Sequence, residues 1–130
     1  MAVYTRVSGT WREVGSSGPD TGGGGTAYLG FVCAPSTGGQ TSDQNWTSAV
    51  NWCNNLTLNG YSDWVLPGKS ELDTLYSLSG LFGGFAVSFY WSSTEANSSN
   101  AWSLAFSNGT IVNRNKTGRD YVRAVRRLTL

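Results

Sequence analysis

The sequence contains no histidine and only two cysteines, Cys33 and Cys53. These absences leave no zinc-ligating set and no Ser–His or Cys–His pair for nucleophilic catalysis. Charge is also scarce: Asp, Glu, Lys and Arg make up 13% of the residues, about half the usual share. No run approaches the ~18 apolar residues of a membrane-spanning helix, and the opening stretch MAVYTRVSGTWREVG lacks the apolar segment of a secretory signal peptide. Neither membrane insertion nor export by the general route is therefore expected. With a net charge of +1, a dedicated nucleic-acid surface is not expected either. The two cysteines admit a disulfide or two small buried thiols, and the missing secretion signal favours the thiols.

Glycine is plentiful, at 17, and so are aromatics, with six Trp, six Tyr and five Phe. At 130 residues the chain can bury a real core without disulfide staples. Aromatics rather than long aliphatics are expected to fill that core. The same composition predicts many turns, short strands and a surface of Ser, Thr and Asn.

The chain is organised around its last third, residues 90–126. There Trp102, Leu104 and Phe106 alternate with Ser103, Ala105 and Ser107, the period of a strand with one buried face. Asn108-Gly109 predicts a tight hairpin, Ile111 resumes the apolar pattern, and residues 113–120 form a second loop. Residues 121–126, YVRAVR, read as a last strand. A small meander with a fixed buried face and free polar positions suits binding better than chemistry.

Upstream, residues 2–14 alternate as a strand or hairpin turning at Ser8-Gly9, and form a separate N-terminal segment, 1–14, ahead of one compact unit, 15–130. Residues 15–25, GSSGPDTGGGG, are loop by composition, and no strand and helix flank them as a phosphate cradle requires. Gly68-Lys69-Ser70 resembles the end of a nucleotide-binding loop, but Asp63 stands where its first glycine belongs. Residues 26–34 read as a strand ended by Pro35. Asp43 is placed to cap a helix whose one face carries Trp46, Ala49, Val50, Cys53 and Leu56, with Asn59-Gly60 closing it. Pro67 stops a 64–66 strand, Gly68 caps a second helix with Glu71 three residues on, and Leu72, Leu75 and Leu78 form its stripe. Residues 80–87 are expected to pack over that helix as a flexible apolar loop. Met1 and the strand-like ending RRLTL fit a complete small protein, with an excised tip domain as the open alternative.

Of the nine basic residues, six fall late: Arg114, Lys116, Arg119, Arg123, Arg126 and Arg127, against one acid, Asp120. Local positive charge of this kind attracts sulfated or phosphorylated ligands. The competing expectation is that Arg123 and Arg126 pack their stems in a strand and pair with carboxylates. Asp63, Glu95 and Tyr121 are the only groups suggestive of acid–base chemistry, and Asp63 and Glu71 fit capping or turn roles better. No catalytic set can be assembled, so no enzymatic activity and no cofactor is expected.

Six ordered blocks carry a resemblance: Trp46 with Cys53 seven residues on, NGYSDWVLPGKSEL (59–72), YWSSTE (90–95), AWSLAFSNG (101–109), Lys116 and YVRAVR (121–126). Together they resemble the family of the C-terminal domain of the Legionella collagen-like adhesin, over roughly residues 15–128. That family is similar to the C-type-lectin-like domains that include the formylglycine-generating-enzyme branch. Several such domains are variable proteins of diversity-generating retroelements in phages, bacteria and archaeal viruses. The opening VYTRVSGTWREV is also similar to short segments of phage tail and tail-fibre proteins.

The resemblance implies an α+β, C-type-lectin-like fold: two helices, a small twisted antiparallel sheet and long loops. It places a variable binding surface in the last third, where Asn codons are the usual targets of diversification. The implied ligand-binding residues are Ala96, Asn97, Ser99, Asn100, Ser103, Ala105, Ser107, Asn108, Asn113, Arg114, Asn115, Arg119 and Asp120. The calcium-dependent sugar motifs of animal lectins are absent, and both cysteines precede Gly60, away from the late cysteine pair of formylglycine generation. No collagen-like repeat occurs in the chain, so the adhesin's trimer cannot be carried over, although an oligomer is compatible. The expected function is non-enzymatic receptor binding, to a protein or glycan on a host cell surface, by a hypervariable protein on a phage or virus tail or an extracellular surface. The alternative is an adhesin that binds sulfated polysaccharide through the late basic cluster.

Overall fold

Short β-branched and aromatic runs separated by polar, glycine-rich stretches produce many brief strands instead of a few long ones. The computed structural model describes residues 3–7, 10–14 and 28–129, which form a mixed α+β arrangement. Strands β1 (Val3–Val7) and β2 (Thr10–Val14) pair antiparallel. The turn at Ser8-Gly9 and the glycine-rich 15–25 loop lie outside the described residues. Strand β3 (Tyr28–Cys33) stops short of Pro35, which has no N–H to continue a ladder. A single turn, α1 (Ser36–Gly39), then leads into β4 (Gln40–Gln44).

Helix α2 (Trp46–Asn54) begins where Asn45 Oδ1 accepts the Ser48 N–H at 2.9 Å. The cap is therefore Asn45 and not Asp43, which lies in β4 with a φ of 58°. The helix ends before Asn59-Gly60, and those two left-handed residues instead turn the chain between Leu58 and Tyr61. Helix α3 (Lys69–Ser77) matches its sequence signal: Glu71 Oε1 accepts the Gly68 N–H at 2.8 Å, and Leu72 and Leu75 are buried. Its Lys69 N–H donates to Thr94 Oγ1 at 2.9 Å, so a strand residue completes the cap. The 80–87 stretch is partly helical, because α4 (Ser79–Phe82) opens it, and Phe82, Phe85 and Ala86 pack into the core on the α3 side.

The remaining strands are β5 (Phe89–Glu95), β6 (Asn100–Ala105), β7 (Ile111–Asn115), β8 (Asp120–Arg123) and β9 (Val125–Thr129). The sheet structure is larger than the small meander expected. One sheet has the order β2-β1-β3-β9 and the other β4-β8-β5-β6-β7. The expected last strand is two strands, because at Ala124 the chain leaves the second sheet, where β8 pairs with β4 and β5, and joins the first, where β9 pairs with β3. Residues 64–66 contribute only a bridge, Val65 to Val125.

Successive residues of the larger sheet feed opposite cores. Trp91, Ala101 and Val122 join Ala49 and Cys53 of α2, whereas Tyr90, Leu104 and Tyr121 join Leu72 and Leu75 of α3. A sheet covered on both faces loses clean apolar–polar alternation, so small residues between the aromatics can be core. Cys33 and Cys53 are free thiols, and burial pushes both up to about 12. Native protein at about pH 8 should thus resist iodoacetamide while unfolded protein takes two labels, as mass spectrometry would count. Labelling of Cys53, the fully buried thiol, in the folded state would contradict this burial, whereas Cys33 is half-buried.

Candidate functional site

In an antiparallel meander the first and third connections fall at one end and the second at the other. The 96–99 loop and the 116–119 loop accordingly share one end of β5–β6–β7, and the Lys116 N–H donates to Ser99 O at 2.9 Å to tie them together. Asn97 folds the first loop: its Oδ1 accepts the N–H groups of Ser99 at 2.8 Å and Asn100 at 2.9 Å. Asn115 does the same for the second, accepting from Thr117 N at 2.9 Å and Thr117 Oγ1 at 2.6 Å. Asn97, Ser98, Ser99, Asn113, Asn115 and Thr117 are exposed, and Ala96 and Asn100 are half-buried. Asn100 Nδ2 donates to Asn113 Oδ1 at 2.6 Å across the β6–β7 pair.

Beneath these loops sits a clasp that sequence reasoning missed. Lys116 Nζ donates to Glu95 Oε2 at 2.6 Å and Ser98 O at 3.0 Å, and stands 4.4 Å from the centre of the Trp46 ring. Trp46 is anchored in turn, with its N–H donating to Lys116 O at 3.1 Å and its indole Nε1 to Ser92 O at 2.9 Å. The start of α2 and both loops are thereby held as one unit. On the other side of the meander Trp102 is half-buried, with Lys69 Nζ 4.3 Å above its ring, beside a shallow dent lined by Lys69, Trp102 and Ile111.

The thirteen expected binding residues do not form one surface. Ser103, Ala105 and Asp120 are buried, at 0%, 5% and 4% exposure, which corrects their assignment to an exposed face. The reason is the double coverage of the sheet. Ser103 Oγ lies 2.9 Å from Tyr90 O and 3.1 Å from Asp120 Oδ2, and that carboxylate accepts Arg114 Nε at 2.6 Å. Ser107 and Asn108 are exposed but belong to the opposite end of the meander. There Gly109 has a φ of 82°, and a Cβ on it would meet the Tyr76 ring at 2.5 Å. Arg119 is exposed beside Asp43, its Nη1 donating to Asp43 O at 2.9 Å.

The late basic cluster is committed to internal contacts. Arg114 pairs with Asp120, Lys116 with Glu95, Arg119 with Asp43, Arg126 with Asp63 and Arg127 with Glu71. The Arg126 pair meets the expectation for that strand residue, and its guanidinium holds the exposed Asp63 carboxyl below its ordinary value. Arg123 differs from the expectation. It is buried and donates not to a carboxylate but to Ala34 O at 2.7 Å, Gly83 O at 3.0 Å and Gln40 Oε1 at 3.3 Å.

No group of three or more His, Cys, Asp or Glu arranged to hold a metal occurs among the described residues. At the loop end the exposed chemistry is mainly amides and hydroxyls, with the exposed charges of Glu95 and Arg119 each set against a partner. Two of those amides also build the turns that present them, so Asn97→Ala should cost about 1 kcal/mol, read from a urea midpoint. A cost near zero would mean the 96–99 turn holds without its side-chain acceptor.

A family model described as the Lcl C-terminal domain matches residues 10–126, from the start of β2 into β9. No curated protein matches the chain significantly.

Proposed function

Because this chain belongs to the Lcl C-terminal domain family, we propose that it acts as an adhesin-like, non-enzymatic binding module with a C-type-lectin-like fold. The observation that carries this reading is the loop end of the meander. There the exposed amides and hydroxyls of Asn97, Ser99, Asn113 and Asn115 stand on a frame fixed by main-chain bonds and by the Lys116–Glu95–Trp46 clasp. Rigid presentation of polar groups lowers the ordering cost of binding and lets shape and hydrogen bonding select the ligand.

In its finer form, the chain is a retroelement-diversified receptor-binding protein on a phage or virus tail, and its partner is a host-surface protein or glycan. Sequencing the locus tests this. A near-copy of the 90–126 coding region that differs mainly at adenines, beside a reverse transcriptase, is the expected result. A locus with neither leaves a fixed adhesin-like module.

Engagement of Arg114, Lys116, Arg119, Arg123, Arg126 and Arg127 disfavours a sulfated polysaccharide as the ligand. The protein should pass through a heparin column unretained at ~0.15 M salt, where exposed charges act over about 8 Å. Retention that disappears as salt is raised would favour the polysaccharide reading.

A further inference from the structure

The main chain of β7 offers a binding edge of its own. Ala105 N–H donates to Thr110 O at 2.8 Å, and β7 continues in unbroken register with Leu104 opposite Ile111, Trp102 opposite Asn113 and Asn100 opposite Asn115. Bonded and non-bonded pairs alternate in an antiparallel ladder, so the bonded pairs are 103 with 112 and 101 with 114. The N–H and C=O groups of Ile111 and Asn113 therefore point away from β6. Among the described residues no strand covers that side, because β7 is the last strand of its sheet. Edge strands are usually guarded by a proline, a bulge or a projecting charge, and β7 has none of these. Its one charged residue, Arg114, is tied to Asp120.

Charge on the Asn113 side of the edge narrows the class of partner. Asn113 and Trp102 are directly paired and so share a face. Above Trp102 stands Lys69, which with the buried Arg123 is the only basic side chain outside an ion pair among the described residues whose side chains are placed. We propose that the β7 edge binds an extended polypeptide segment that carries an acidic side chain, which adds to the sheet as a further strand. Main-chain bonds to Ile111 and Asn113 hold the segment, and Lys69 attracts its carboxylate. This deepens the binding-module reading by naming a ligand class, and it rests on that reading only in sharing the edge strand β7 with the proposed surface.

The test is to pan the whole chain against a displayed library of linear peptides long enough for one strand, about 5–6 residues with flanks. Enriched peptides should carry Asp or Glu, and their affinity should fall at least about tenfold on Asn113→Pro. That change removes one outward N–H and spares the main-chain bonds to β6, losing only the side-chain bond from Asn100. Asn113→Ala should change affinity less than about threefold, and Lys69→Gln should weaken it about threefold to tenfold. N-methylation of alternate peptide amides should abolish binding in one register only, a readout that holds even where the proline variant fails to fold. No enrichment, or enrichment indifferent to both the proline and the N-methylation, overturns the proposal. Self-association of the wild-type chain that Asn113→Pro abolishes would place a second copy on the edge and overturn it too. Receptor binding lost on Ser99→Arg, with peptide binding unchanged by Asn113→Pro, would keep the loop-end reading and eliminate this one.

Discussion

Arg123→Met should destabilise the fold by roughly 3 kcal/mol, on the order of 10 °C in Tm. Methionine can fill the space over the Phe85 ring, against which the guanidinium stacks at 4.4 Å, but it donates nothing. Ala34 O and Gly83 O then lose charged donors at 2.7 and 3.0 Å in a site with 1% exposure. Gln40 Oε1 keeps the Tyr90 hydroxyl at 2.8 Å, and that hydroxyl still accepts the Ala86 N–H at 2.8 Å. The damage should therefore concentrate where residues 34 and 83 meet β8. Hydrogen exchange should quicken there before the rest of the sheet responds. Because a buried charge is also removed, part of the loss is offset. A change below about 1 kcal/mol would mean that these carbonyls do not depend on Arg123.

Asp120→Ala should cost about 2–4 kcal/mol, measured by urea denaturation. The carboxylate is buried between Ser103 Oγ at 3.1 Å and Arg114 Nε at 2.6 Å, so its removal strips Arg114 of its counter-charge and leaves a void beside Ser103, whose hydroxyl keeps Tyr90 O at 2.9 Å. Asn113→Ala, on the exposed edge strand β7 of the same sheet, should stay within about 0.5 kcal/mol. The contrast separates framework from surface within the same third of the chain. Equal costs would mean that Asp120 is as dispensable as an exposed side chain.

Much of the framework was legible because it follows local rules. The 3.6-residue stripes gave both long helices, Glu71 three residues after Gly68 marked the start of α3, and alternation around Trp102 with Asn108-Gly109 marked the β6–β7 hairpin. Strand β4 was not legible, since QTSDQ has no apolar residue to betray a pleat. Nor was the exchange of sheets at Ala124, because YVRAVRRL is one uninterrupted strand-like run whose break depends on Gly39 and Val65 pairing with it.

The candidate surface was half legible for a related reason. Polarity marked Asn97, Ser99, Asn113 and Asn115, which are exposed. The same criterion admitted Ser103 and Asp120, whose hydrogen bonds to each other and to Arg114 form only across strands. That Asn97 and Asn115 are also turn-formers depends on which N–H groups the chain brings to their oxygens, a property of the folded loops. The Lys116 clasp joins residues 46, 95, 98 and 116, too far apart in sequence for any spacing rule to connect them.

The most direct test of a rigid frame presenting exchangeable polar positions is a comparison of two libraries by urea midpoint. One randomises Ser99, Asn113 and Arg119 together, and the other Ser103, Ala105 and Asp120. Most members of the first should keep a midpoint within about 1 kcal/mol of the parent, while most of the second should be unfolded or severely weakened. If the first library unfolds as readily as the second, the exposed residues are part of the framework, and the binding-module account is contradicted.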